Sequence, residues 1–316
     1  MGRIRDLRRA LRRTWKHKPG VWPWMMSLPT RSMVALLSLL PSPLTLAFAD
    51  RVARLAWLSA RRRKYGRAQL QLALPHLSDA ERDQILKRSC GHLGRSVAET
   101  MIVLQRARRD GLEGLIEFEK GAKQQLLAVQ DQGAVLVQAH LGGFEVFGAA
   151  AVQTELRPAF TMRMPTNYYV GQKLLKSRDG WGIELIPRQG AVRRMLTHMK
   201  SGGAVILATD QNAQRAPLFV PWFGKLAATE RAAAAIALRT GAPVLVGWCL
   251  RTNRLGKYRV GVTTLRTKCD KQAATDEAVF ALTEQMHHKL EAVIRQHPEQ
   301  YLWIHDRYRT RPPKDD

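Results

Sequence analysis

Residues 135–147 read Val-Leu-Val-Gln-Ala-His-Leu-Gly-Gly-Phe-Glu-Val-Phe, and no other stretch limits the fold so strongly. A short β-branched apolar run stops at His140, two glycines follow, and an apolar pattern of helical period begins near Glu145. A strand that turns at once into a helix is the unit of an open α/β sheet, and ligands bind such sheets outside the carboxyl ends of the strands. On one continuous helix, residues five apart would lie about 140° from each other around the axis. The break at Gly142-Gly143 removes that restriction, so the Glu145 carboxylate is expected to fold back on the His140 imidazole.

Such a pair supplies a general base: the carboxylate fixes the imidazole tautomer and stabilises the imidazolium that forms when a hydroxyl is deprotonated. No Ser or Cys directly follows the histidine, so the hydroxyl is expected to come from a substrate and the transfer to be direct, without a covalent enzyme intermediate. A histidine before a Gly-Gly turn is also a common structural residue, and the rest of the chain has to separate the two readings.

At 316 residues the chain has ample length for a buried core. Its formal net charge of +25 calls for an anionic partner, whether membrane, nucleic acid or acidic protein. Three scattered cysteines, Cys90, Cys249 and Cys269, argue against a disulfide framework or zinc site and for a reducing, cytosol-facing compartment.

Three regions are expected: an anchoring segment over 1–60, a helical segment over 61–112, and an α/β domain over 113–316. Residues 1–18 carry eight Arg or Lys against Asp6, with Ile4, Leu7, Leu11 and Trp15 at helical spacing, as in a basic amphipathic helix lying on anionic headgroups. A disordered or nucleic-acid-binding arm has the same composition. The apolar stretch 33–49 is interrupted by Pro41 and Pro43, so it reads as a helical hairpin dipping into one leaflet; a buried hairpin is the competing reading. Basic residues on both sides, including Arg51, Arg54 and Arg61 to Lys64, place this membrane anchor on the cytoplasmic face.

Ser78 with Glu81 predicts a capping box that opens a helix reaching toward Glu99 and Leu104. Strands are predicted over 134–139, 158–162, 184–186, 204–209, 243–250 and 257–264. Helices are predicted over 121–130, 144–153, 168–177, 191–200 and 275–295, and an alanine-rich helix capped by Thr229 is predicted to end at Gly241. The alternation predicts an α/β fold with a central mixed, mostly parallel sheet flanked by helices.

Further blocks lie at strand ends. Arg163 follows one strand, Asp210-Gln211 ends another, and Val220-Pro221-Trp222-Phe223-Gly224 follows. The last block is Pro298-Glu299-Gln300-Tyr301-Leu302-Trp303-Ile304-His305-Asp306-Arg307-Tyr308. Asp210 also suits a plain strand-end role, and Trp303 and His305 also suit packing. His287 and His288, with Glu284 and Glu291, lack the order of a metal site and are expected at the surface.

In this order and spacing the blocks resemble the lipid A biosynthesis lauroyl/myristoyl acyltransferase family, part of the lysophospholipid acyltransferase superfamily. His140 and Glu145 match its H-x-x-x-x-D/E block, Arg163 the arginine of the next block, and Asp210-Gln211 its Asp-Gln. The chain departs from the family at Gln69, where Asn is usual, and at Gly143-Phe144, where Asn-Trp is usual. The resemblance implies a glycerolipid acyltransferase-like fold and transfer of an acyl chain from acyl carrier protein to a hydroxyl of a phosphorylated lipid A precursor. It implies His140 as base and Glu145 as its orienter. Arg163, Asp210, Gln211 and more weakly Arg188 would bind substrate or stabilise charge. Gly142 and Gly143 would supply oxyanion donors. It implies no metal and no cofactor beyond the acyl-carrier co-substrate, no nucleic-acid partner, and a place on the cytoplasmic face of a bacterial inner membrane. The same superfamily block serves other acceptors, such as another glycolipid, a lysophospholipid or an aminolipid. A basic binding module without catalysis would have no need of His140.

Overall fold

The computed structural model describes residues 16–112, 114–162, 164–267, 271 and 273–313. The basic amphipathic segment expected at the amino terminus lies almost wholly outside the described residues, as does Arg163.

Two helices open the described chain, α1 (Val21–Leu39) and α2 (Ser42–Ala53), with the break at Leu40-Pro41 as expected. Pro43 does not interrupt α2: it sits in the first turn, where its missing N–H costs nothing. No helix among the described residues is long and apolar enough to cross a membrane. The hairpin nonetheless leaves a row of large apolar side chains in solvent, including Trp22, Met26, Leu36, Leu44 and Phe48, and Leu55 follows just beyond it.

Helix α3 (Ala60–Ala73) follows, then α4 (Asp79–Ala98), which opens on the expected capping box between Ser78 and Glu81. A π-turn at Glu99–Val103 joins α4 to α5 (Leu104–Asp110). Gly91 and Gly94 let α2 press against α4: a Cβ on Gly94 would lie 2.2 Å from the Ala49 carbonyl oxygen.

Beyond this point strands and helices alternate. They are β1 (Ile116–Phe118), α6 (Ala122–Leu127), β2 (Ala134–Gln138), α7 (Phe144–Val152), β3 (Pro158–Met162), α8 (Tyr168–Asp179) and β4 (Glu184–Pro187). Next come α9 (Ala191–Lys200), β5 (Ala204–Ala208), β6 (Leu218–Trp222), β7 (Lys225–Thr229) and α10 (Ala232–Thr240). The series closes with β8 (Val244–Arg251), β9 (Tyr258–Arg266) and α11 (Asp276–Gln296). Seven strands form one sheet in the order β1-β9-β8-β2-β5-β3-β4, with β2, β3, β4, β5 and β8 parallel and β9 antiparallel to β8. This is the mostly parallel mixed sheet the alternation predicts.

All five residues of β2 are buried, as expected of a central strand covered on both faces. Val135 and Val137 pack with α9, α10 and α11 on one side, and Ala134 and Leu136 with α6 and α7 on the other. The sequence missed β1 and the β6–β7 hairpin. Thr229 ends β7 and does not cap α10, whose N-cap is Arg231. Phe223 and Gly224, both at positive φ, form the two-residue hairpin turn. The Phe223 N–H donates to Glu291 at 2.8 Å, which supports the strained residue from below.

Candidate active site

His140 stands two residues past β2 and Asp210 two past β5. The two strands are parallel neighbours whose last paired residues are Gln138 and Ala208. Equal overhangs beyond one register bring the two side chains together at the carboxyl edge. Asp210 Oδ1 lies 2.8 Å from His140 Nδ1, and Asp210 Oδ2 accepts the His140 backbone N–H at 2.9 Å. A buried carboxylate accepts only, so Nδ1 carries the proton and Nε2 is the basic nitrogen. The Gln211 side-chain amide donates to that Nε2 at 3.1 Å.

Burial disfavours the imidazolium, but the charge and hydrogen bond of Asp210, helped by Glu145, outweigh it and raise the His140 pKa above the ordinary imidazole value. Burial likewise works against the Asp210 carboxylate, and His140, with Arg307 beyond it, holds its pKa down at about 2. The pair is an imidazole oriented by a carboxylate that stays charged across the working pH range.

The carboxy-terminal segment locks the pair. Leu141 bridges Tyr301, a buried residue whose hydroxyl is pushed well above its ordinary pKa first by burial and then by the nearby Asp210 charge. Arg307, 1% exposed, donates to the carbonyls of Gln211 and Ala228 and to Thr229 Oγ1. His305 Nε2 accepts the Asn212 N–H at 3.1 Å. Gln69 on α3 donates to the carbonyls of Trp303 and His305 at 2.8 and 2.7 Å, so the residue that departs from the usual Asn fastens the last segment to the helical region.

Residues 22–310 match the family of bacterial lipid A biosynthesis acyltransferases. The chain belongs to that family. The lipid A biosynthesis palmitoleoyltransferase of Escherichia coli (strain K12) is 26% identical over 307 residues, 95% of this chain and 92% of that protein. The lipid A biosynthesis lauroyltransferase of the same strain is 25% identical over 268 residues, 80% of each chain. A lipid A biosynthesis acyltransferase of Haemophilus influenzae is 22% identical over 259 residues, 81% of this chain and 78% of that one.

In this acyltransferase Glu145 does not hydrogen-bond the imidazole. It pairs with Arg178, the two side chains being 16% and 5% exposed. Arg178 also points at the Met162 sulfur, 3.2 Å away. The helix turn does carry Glu145 toward His140, close enough to favour its protonation, but the guanidinium from the last turn of α8 claims the carboxylate. Arg178 belongs to no motif, and the sequence offered no signal for it.

The glycine turn also differs from expectation. The Gly142 N–H donates to the Gln300 carbonyl at 3.0 Å and the Gly143 N–H to the Cys249 carbonyl at 2.7 Å, so neither is available to an oxyanion. The glycines serve close approach instead. A Cβ on Gly142, at φ +57°, would lie 2.2 Å from the Cys249 oxygen, and one on Gly143 2.9 Å from the Tyr258 ring. Gly142→Ala is expected to destabilise the fold by about 2–4 kcal/mol, from left-handed strain plus overpacking, read as a lower urea midpoint.

Arg188 lies away from the imidazole. It pairs with Glu230 at 2.6 Å on a cleft of about 990 Å³ that Lys16, Tyr168 and Arg215 also line. His287 is fully buried, against the surface expectation: its Nδ1 bonds the Pro221 carbonyl at 2.8 Å and its ring meets Trp222. Glu291 is buried too, whereas His288 is exposed as expected.

Proposed function

We propose that this acyltransferase moves a fatty acyl chain from an acyl-carrier-protein thioester to a hydroxyl of a phosphorylated lipid A precursor, a secondary acylation at the cytoplasmic face of a bacterial inner membrane. The observation that carries the reading is the His140–Asp210 pair, whose basic Nε2 accepts, among the described residues, from the Gln211 amide. The acceptor hydroxyl takes the place of that amide, Nε2 accepts its proton, and the alkoxide attacks the thioester carbonyl. The thiolate then leaves with the proton held on His140. Direct transfer fits the surroundings, because the nearby Cys249 thiol is buried and burial pushes its pKa far up, making it a poor nucleophile.

The carrier-protein donor is supported by charge: an acidic protein and a phosphorylated acceptor both suit a chain of net charge +25. Arg188, Lys16 and Arg215 would meet phosphate in the wide cleft beside the sheet edge. The α1–α2 hairpin would rest in one leaflet through its exposed apolar row. Leu44→Glu with Phe48→Glu is expected to weaken binding to anionic vesicles at least tenfold, because each side chain forfeits about 1.5–3 kcal/mol of burial; co-sedimentation unchanged from wild type would refute the anchoring role.

The reaction is tested by mass spectrometry of products from the detergent-solubilised full chain. It is mixed with a tetra-acylated, phosphorylated lipid A precursor and with acyl thioesters of several lengths, on carrier protein and on coenzyme A. One added acyl mass from carrier-protein thioesters is the expected result. Transfer only from coenzyme A overturns the donor, and no transfer to this precursor overturns the acceptor.

A further inference from the structure

A developing oxyanion needs donors, and the glycine turn does not offer its own. The N–H groups of His140, Leu141, Gly142 and Gly143 all go to protein acceptors. A cavity of about 40 Å³ lies beside His140, large enough for a few waters or one carbonyl group. Phe144 and Tyr301 line it on the His140 side, and Ser89, His92 and Ser96 line it from α4. The spacing of three and four residues places these last three on one face of that helix.

His92 offers that wall a ring donor. Its Nδ1 lies 3.1 Å from Nη1 of Arg251. A guanidinium donates and never accepts, so Nδ1 is the accepting nitrogen and the ring proton sits on Nε2. Arg251 cannot turn away: it is bound to both Glu99 oxygens at 2.6 and 2.7 Å and to Ser96 Oγ at 2.7 Å, with the Tyr258 hydroxyl on Glu99 at 3.0 Å. The Glu99 carboxylate stands at the start of the π-turn, where it holds the Arg251 that orients His92. No described group accepts from His92 Nε2. Burial first, then the charges of Arg251, Arg95 and Arg54, drives the His92 pKa down to about 2, so the ring stays neutral at any working pH.

Resting on the acyl-transfer reading above, we propose that His92 is a catalytic residue whose Nε2–H donates a hydrogen bond to the thioester carbonyl oxygen as negative charge develops there. As the C–O bond forms, the carbonyl π electrons move onto that oxygen. When they return, the C–S bond breaks and the thiolate leaves, taking the proton stored on His140. His92 keeps its own proton throughout. A neutral imidazole suits this work because its donor cannot be lost to titration and does not compete with His140 for the substrate proton.

The test compares wild type with His92→Leu, which removes the donor, and His92→Gln, which can restore one through its amide. Initial rates are measured with detergent-solubilised protein, a carrier-protein thioester and the lipid A precursor. His92→Leu is expected to lower kcat about 10²–10³-fold with KM for both substrates within threefold of wild type. His92→Gln is expected to recover at least tenfold of that loss, and the pH at which kcat/KM rises stays where His140 sets it. A kcat for His92→Leu within threefold of wild type overturns the assignment. So does a loss that His92→Gln fails to relieve, or one that appears as KM alone, because each marks a structural role. If His92→Leu melts well below wild type, His92→Phe, which keeps the ring volume, is read by the same criteria. A wild type that transfers no acyl group overturns the underlying reading and this assignment with it, an outcome distinct from every variant result.

Discussion

Asp210→Asn is expected to lower kcat about 10³–10⁴-fold while the protein folds and binds lipid normally, the loss seen when the carboxylate that fixes a catalytic imidazole becomes an amide. The physical cause is the tautomer. Asp210 accepts from His140 Nδ1 and leaves Nε2 basic; an asparagine amide there can donate to Nδ1 and send the ring proton to the side facing substrate. The pH profile separates this from misfolding. In the wild type kcat/KM rises with pH through a value above the ordinary imidazole range, because carboxylates stabilise the inactive, protonated ring. Removing the Asp210 charge leaves burial dominant, so the rising limb moves to lower pH even as the plateau collapses. Glu145→Gln is expected to be far milder in rate and to shift the limb less, since Glu145 acts on the ring only through space.

Arg178→Met is expected to destabilise the fold by about 2–3 kcal/mol, because it leaves a half-buried carboxylate without its cation. Glu145→Gln combined with Arg178→Met should recover much of that loss, a coupling that urea titrations of the two single variants and the double variant would measure. Additive losses would mean that the pair is solvated and contributes little. This outcome would also return Glu145 to candidacy as the partner of His140.

The contrast between Glu145 and Asp210 marks how far the sequence could be read. His140 and Glu145 are neighbours in the chain, so their spacing was visible, and the strand, turn and helix around them form as predicted. Asp210 was legible as a strand-end residue, but its partner is fixed by the register of β2 on β5 across seventy positions. No local pattern carries a register between distant strands. Arg178 and His92 were invisible for the same reason: each sits on an ordinary helical surface pattern and gains its role from what the fold lays against it. The β6–β7 hairpin escaped because its turn uses Phe223 in a left-handed conformation, where Asn or Gly would have announced it. Buried His287 looked like surface because only the finished fold supplies its acceptor at Pro221.

Helix α4 has two occupied faces. Gly94 brings α4 against the backbone of the hairpin helix α2 and Gly91 against its Asp50 carboxylate, while Ser89, His92 and Ser96 wall the cavity beside His140. With glycine contacts this close, neither face can shift without the other, so the span from the exposed apolar row to the reacting atoms is a constant of the fold. The helix works as a caliper. If the hairpin rests in a lipid layer as proposed above, its depth would set the height at which the imidazole stands over that layer, and with it the height at which an acceptor hydroxyl is reached.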